Sequence, residues 1–204
     1  SGVKSDLQLN SYTNGFTVAG WIKHSLDYGA YTTNAGYFGQ NDLFEIGDAS
    51  GNRVQSWLKS IGNGDQDSAY IMYPFADNEW GQIVVTYDTE QMIIYANGVS
   101  MANFNGTSPL TAGKDYGFNI AAGVRDALSA TFQNFFVGDI DDVAVFDRGL
   151  SKDEVRGLYN AGYYGGAQPP VIETQPMGIS GYENAERVWS INPVVGGTEP
   201  FAYQ

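Results

Sequence analysis

Hydrophobic and polar residues alternate with a period of two along most of the chain up to Phe146. Short runs rich in β-branched and aromatic residues recur between clusters of Gly, Asn and Asp, a pattern of strands and tight turns. It predicts strands near Phe16–Lys23, Tyr37–Gln40, Leu43–Gly47, Val54–Leu58 and Ala69–Tyr73. Further strands are predicted near Gln82–Asp88, Gln91–Ala96, Val99–Phe104, Gly117–Ala122 and Ile140–Phe146. The clearest hairpin joins Gln82–Asp88 to Gln91–Ala96 through Thr89-Glu90. The Asn97-Gly98 pair that follows suits the positive φ angles of a type I′ turn. Many short strands without intervening helices predict an all-β antiparallel sandwich.

One helix interrupts this pattern. Ser151-Lys-Asp-Glu154 has the form of a capping box, Val155, Leu158 and Tyr159 follow as an apolar stripe, and Gly162 is a stop signal. A helix of one to three turns is expected there, packed against an edge of the sandwich. The Gly/Pro-rich stretch at 163–170 then reads as a linker. The remaining residues, 171–204, are too few for a core of their own and are expected to be part of a second domain.

Composition narrows the functions open to such a chain. Ten Lys and Arg against 23 Asp and Glu give a net charge of −13 over 204 residues. That balance leaves no basic stripe for nucleic acid or an anionic membrane. It also disfavours a sulfated or uronic-acid ligand bound without assistance. No apolar run is long enough for membrane insertion. Without Cys there is no disulfide framework, thiol nucleophile or thiolate metal site, and one His, His24, leaves no multi-histidine centre. His24 itself is expected to be a solvated strand-end residue. The start at Ser-Gly-Val-Lys, with no Met and no signal segment, is read as a processed or excised chain.

Four blocks of sequence then point to a family. Phe16-Thr-Val-Ala-Gly-Trp21-Ile-Lys23, Glu79-Trp-Gly-Gln-Ile-Val-Val-Thr-Tyr-Asp88, Ile94-Tyr-Ala-Asn-Gly98 and Gly138-Asp-Ile-Asp-Asp-Val-Ala-Val-Phe-Asp-Arg-Gly-Leu-Ser151 resemble, in that order, the laminin-G-like, concanavalin A-like modules of bacterial surface and secreted proteins. The resemblance implies a two-sheet antiparallel jelly roll over residues 1–162, lacking its first strand, and an extracellular or cell-surface location. The segment 171–204, with Pro169-Pro-Val-Ile-Glu-Thr-Gln-Pro176, resembles the beginning of a bacterial immunoglobulin-like domain. Both ends are expected to be cut from a larger multidomain chain.

Candidate chemistry is sparse. Hydrolases of this fold resemble one another in a Glu-x-Asp-x-(x)-Glu run, which this chain lacks, so no catalytic residues are expected. Asp139 and Asp141 share a strand face but no third acid follows them at that spacing. Asp141 also alternates with Val143 and Val145, so partial burial is expected of it. A carboxylate so placed either ligates Ca²⁺ or accepts backbone N–H bonds in a corner. In members the chain resembles, the equivalent Asp helps hold a structural Ca²⁺. The acids of Asn63-Gly-Asp-Gln-Asp67 are expected in a surface turn. The Asn105-Gly-Thr107 sequon is a pattern that arises often by chance.

Aromatic residues are abundant, with 14 Tyr, 11 Phe and 4 Trp. Exposed rings flanked by polar groups are what the flat C–H faces of sugars require. The candidates are Tyr28, Tyr31, Trp57 and Tyr73, with Arg125-Asp126 on a loop after Gly123, together lining one rim. Trp21 and Trp80 lie in core-patterned blocks and are expected to be buried. The expected role is non-catalytic recognition of a glycan. The alternative is a structural surface protein whose partners are neighbouring subunits. The discriminating observation is whether the four candidate rings converge on an open groove.

Overall fold

A computed structural model describes residues 2–25, 35–41, 43–60, 64–105, 117–121, 123–126 and 131–164. Tyr28 and Tyr31, Gly106 and Thr107 of the sequon, and the whole of 171–204 lie outside them. Strands β1 (Val3–Lys4), β2 (Phe16–His24), β3 (Gly36–Gln40), β4 (Phe44–Ala49), β5 (Arg53–Ser60) and β6 (Gly64–Met72) come first. They are followed by β7 (Gly81–Tyr87), β8 (Gln91–Ala96), β9 (Val99–Asn105), β10 (Phe118–Ile120), β11 (Gly123–Asp126), β12 (Thr131–Gln133) and β13 (Gly138–Phe146). A single α-helix, α1, covers Lys152–Tyr164. The chain divides into two compact units, 1–156 and 157–204. In the second, only 157–164, the end of α1, is described.

The first unit is the expected two-sheet antiparallel sandwich. A six-stranded sheet runs β1-β10-β3-β4-β5-β6, a five-stranded sheet runs β13-β2-β7-β8-β9, and β11 and β12 pair separately. Alternate residues of both large sheets fill the space between them. Phe16, Val18 and Ile22 of β2, Phe44 and Ile46 of β4, Val54 and Leu58 of β5, and Ile83 and Val85 of β7 are fully or almost fully buried there. Phe16 meets Phe44 of the opposite sheet edge to face, with ring centroids 5.0 Å apart. Gly20 allows the closest approach: a Cβ there would lie 2.6 Å from the Phe38 ring.

Turn chemistry agrees with the sequence. Asn97 and Gly98 have φ of 48° and 75°, as a type I′ turn needs, and Asn97 Oδ1 accepts the Gln82 N–H at 2.8 Å. Asp88 Oδ1 accepts the N–H groups of Glu90 and Gln91 and so closes the β7–β8 connection.

The capping box forms as expected. Glu154 accepts the Ser151 N–H at 2.8 Å, and Ser151 Oγ accepts the Glu154 N–H at 3.3 Å. Arg148 adds two bonds to the Glu154 carboxylate, at 2.6 and 2.9 Å. Thr17 anchors this corner to β2: its hydroxyl donates to the Arg148 carbonyl and accepts the Leu150 N–H, both at 2.8 Å. Gly162 does not stop the helix, which continues to Tyr164 and takes in the first two residues of the expected linker. Glycine only weakens a helix, and Tyr159 and Tyr163, one turn apart, stack their rings across it at 5.4 Å.

His24 departs from expectation. It is buried at the end of β2, with its ring 4.7 Å from that of Phe136 and 4.8 Å from that of Tyr73. Its Nε2 lies 3.1 Å from Asp48 Oδ1, and the same oxygen accepts a short hydrogen bond from the Tyr37 hydroxyl. Position 24 has the parity of Phe16, Val18 and Ile22, so its side chain enters the interior. Asp48 of β4 faces it across the sandwich and supplies the acceptor that buried donors need. The Gly64–Asp67 segment also differs from expectation: pairing of Leu58 with Asp67 and of Ser60 with Gly64 makes it the start of β6, not a turn.

Two predictions follow from this architecture. Asp48→Ala leaves the Tyr37 hydroxyl without its acceptor in the interior and should lower stability by about 2–3 kcal/mol in urea unfolding. A loss below about 0.5 kcal/mol would show the network to be incidental. The second concerns acid. The Arg148 guanidinium, then the Ser151 N–H and hydroxyl, lower the Glu154 carboxyl from 4.5 to about 2. The folded value is the lower one, so its contribution is complete above 4.5 and fades as pH falls from there toward 2. Wild-type melting temperature should therefore fall more steeply than that of Glu154→Gln over this window, the two converging near pH 2. Parallel curves would contradict this.

Candidate functional site

Because β-strand side chains alternate, the residues that build the core fix which residues face outward. On β5, Val54, Ser56 and Leu58 point inward, so Arg53, Gln55 and Trp57 line the outer face of the six-stranded sheet. On β6, Ala69 and Ile71 point inward, so Ser68, Tyr70 and Met72 share that outer face. Register sets the neighbours: Trp57 lies between Ser68 and Glu45, Gln55 between Tyr70 and Gly47, and Arg53 between Met72 and Ala49. Gly47 and Ala49 of β4 carry no large side chain.

The result is an open surface on the β5–β6 hairpin that interleaves rings with hydrogen-bonding groups. Tyr70 is 58% exposed, and the Arg53 guanidinium lies 4.8 Å from its ring centroid. Trp57 is half-buried. Chemically such a face offers apolar ring surfaces for stacking, an amide with both donor and acceptor, the Arg53 cation at one end, and the Glu45 carboxylate beside Trp57 at the other.

The residues predicted from sequence fall in different places. Trp57 is on this face. Tyr73 is not: it is buried against His24 and Phe75, at ring distances of 4.8 and 5.5 Å, since it follows Ile71 on the inward parity. Arg125 and Asp126 belong to β11 rather than to a loop, and Asp126 pairs with Thr131 across an irregularity at Arg125. With Tyr28 and Tyr31 outside the described residues, the four rings are not seen to converge. Tyr70 and Arg53 were missed, although inward parity at Ala69 and Val54 was the signal that would have exposed them.

Asp141 is exposed, contrary to the partial burial expected of it. The ladder between β13 and β2 shifts between Asp141 and Ala144, and Asp142 adopts φ of 48°, so Asp141 and Val143 do not share one continuous alternation. Its Oδ1 accepts the Asp142 N–H at 2.8 Å. No group of three or more His, Asp or Glu side chains placed to hold a metal ion occurs among the described residues. Asp139 pairs with Lys23 at 2.8 Å.

Trp80 is 42% exposed rather than buried, because it precedes the first paired residue of β7 and packs against the Lys23 ammonium, 5.2 Å from the ring centroid. Trp21 is half-buried on the outer parity of β2. No helix among the described residues is long and apolar enough to cross a membrane.

Several known proteins share this architecture. The carbohydrate-binding module (CBM40) of the Ruminococcus gnavus IT-sialidase, solved with α2,3-sialyllactose, superimposes with a TM-score of 0.62 at 15% identity, covering 78% of this chain and 92% of that one. The binding domain of botulinum neurotoxin serotype G gives 0.56 at 19% identity, covering 78% of this chain and 39% of the toxin domain. The neurotoxin DC binding domain, solved with rat synaptotagmin II, gives 0.51 at 20%, covering 74% and 37%. The chain thus spans less than half the length of these neurotoxin domains, and at such identities the likeness is one of fold. No curated protein matches the chain. The sequence profile of the concanavalin A-like lectin/glucanases superfamily matches residues 1–156, and the chain belongs to that superfamily.

Proposed function

We propose that this domain is a non-catalytic glycan-recognition module of a larger secreted or cell-surface protein. Its ligand lies along the outer face of the β5–β6 hairpin. One observation carries the reading: Trp57, Gln55 and Tyr70 alternate with core residues on paired strands, so rigid sheet holds rings and an amide on one open surface. Stacking on Trp57 and Tyr70 supplies contact area at little entropic cost, and Gln55 supplies hydrogen bonds that orient the sugar. The superfamily hosts both lectins and glucanases. The absence of a Glu-x-Asp-x-(x)-Glu run supports the former. That the sialidase module of the same fold holds an oligosaccharide supports glycans as the ligand class.

A second reading, assembly through sheet edges, draws on one feature. Edge strand β13 carries Asp139, Asp141 and Asp142 with an irregular ladder, β6 carries Asp65 and Asp67, and β1 is only two residues long. Such features discourage pairing with another chain. Edge strand β9 has no charged residue, although its ladder to β8 shifts at Met101, and Val99 and Met101 are 58% and 48% exposed. A second copy is the partner that this edge favours, since two copies of a chain with net charge −13 meet there without opposing carboxylates.

A glycan array, read with calcium and with chelator, tests the first reading. Binding to at least one class, reduced about fivefold or more by Trp57→Ala and by Tyr70→Ala, is the expected result. No binding under either condition removes it for this chain. Sedimentation velocity tests the second. It predicts a concentration-dependent dimer that Met101→Lys dissociates, and a chain monomeric from micromolar concentration to its solubility limit would rule it out.

A further inference from the structure

Arg53 differs from an ordinary surface arginine in being held in place before any ligand arrives. Its Nε donates to the Ser50 carbonyl at 2.8 Å, its Nη2 approaches Ser50 Oγ at 3.4 Å, and its Cζ lies over the Tyr70 ring, 4.8 Å from the centroid. A guanidinium carries five N–H donors, and these contacts engage two of them; among the described residues none accepts from Nη1. Among the described residues no carboxylate forms an ion pair with it, in a chain where acids outnumber bases 23 to 10.

A fixed, unneutralised guanidinium matches a planar carboxylate or a sulfate, either of which accepts two N–H groups side by side. Its immobilisation lowers the ordering cost of binding. Arg53 and Trp57 stand on the same face of β5 four residues apart, about 13 Å along the strand. Tyr70, opposite Gln55, lies between them in register. A ligand that reaches both is a short oligosaccharide rather than a single sugar.

We infer that the ligand of this face is an acidic oligosaccharide, stacked on Trp57 and delivering a carboxylate or sulfate to Arg53. The inference rests on the glycan-binding reading above. The overall acidity of the chain does not oppose it, because exposed charges are screened beyond about 8–10 Å, whereas the guanidinium acts at contact.

The test uses the 204-residue chain and an array that sets neutral oligosaccharides beside their uronic-acid, sialic-acid and sulfated counterparts. Wild type should favour acidic members over their neutral partners by roughly tenfold or more, a preference that weakens as salt is raised. Arg53→Gln should bring that ratio to about one. Arg53→Lys, which keeps the charge and loses the fork, should give an intermediate ratio, and melting temperatures of the variants verify folding. Separate uronic, sialic and sulfated arms identify the anionic group. A wild-type ratio near one, with neutral binding still lost in Trp57→Ala, overturns the acidic ligand and leaves the glycan-binding reading standing. A preference unchanged in Arg53→Gln removes Arg53 as its origin. No binding in any arm overturns both.

Discussion

Among the described residues, no ladder hydrogen bond joins the six-stranded sheet to the five-stranded one. What holds them is the apolar layer between, in which Phe16, Phe44, Phe38, Tyr87 and Ile83 are buried almost completely. Everything else in the first unit is arranged around filling that layer. Because strand side chains alternate, each residue committed to the interior obliges its neighbours to face outward. The proposed recognition face is therefore a by-product of core packing: Val54, Ser56 and Leu58 go in, and Arg53, Gln55 and Trp57 are displayed. At one end the layer admits polar groups, and there His24 Nε2 and the Tyr37 hydroxyl converge on Asp48 Oδ1.

Most strands were legible because each carries its own local signal, whereas β1, β11 and β12, two to four residues long, were not read from sequence. The β7–β8–β9 meander is marked by alternation and by Asn97-Gly98, and the capping box around Ser151 and Glu154 depends on residues three apart. Features that depend on distant partners were not legible. Parity with Phe16, Val18 and Ile22 turns His24 inward, but the acceptor that makes its burial tolerable, Asp48, comes from another sheet. Asp141 was misjudged because parity was carried through a ladder irregularity that only the pairing with β2 reveals. Trp80 was misjudged for a related reason: its core-like block begins one residue before pairing does.

The same distinction explains the mixed outcome for the candidate rings. Aromatic richness announces a recognition surface only in composition, whereas parity decides which rings are available. Tyr73 and Tyr70 sit on one stretch of chain, yet the first packs against His24 and the second lies under Arg53 on the opposite face. Charge shows a similar contrast. The acid excess directs attention away from polyanions as a bulk partner, whereas on the proposed face a single guanidinium held by Ser50 and beside Tyr70 would set the local potential.

Interleaving of core and surface on β5 also bears on how such a face can change over time. An insertion or deletion of one residue within the strand would exchange the two sets, placing Arg53, Gln55 and Trp57 in the interior and exposing Val54 and Leu58. Substitution at the outward positions leaves the core untouched. On the proposed ligand face, variation in ligand preference would thus be confined to replacement at fixed positions on the hairpin, while its length is held constant by the packing beneath.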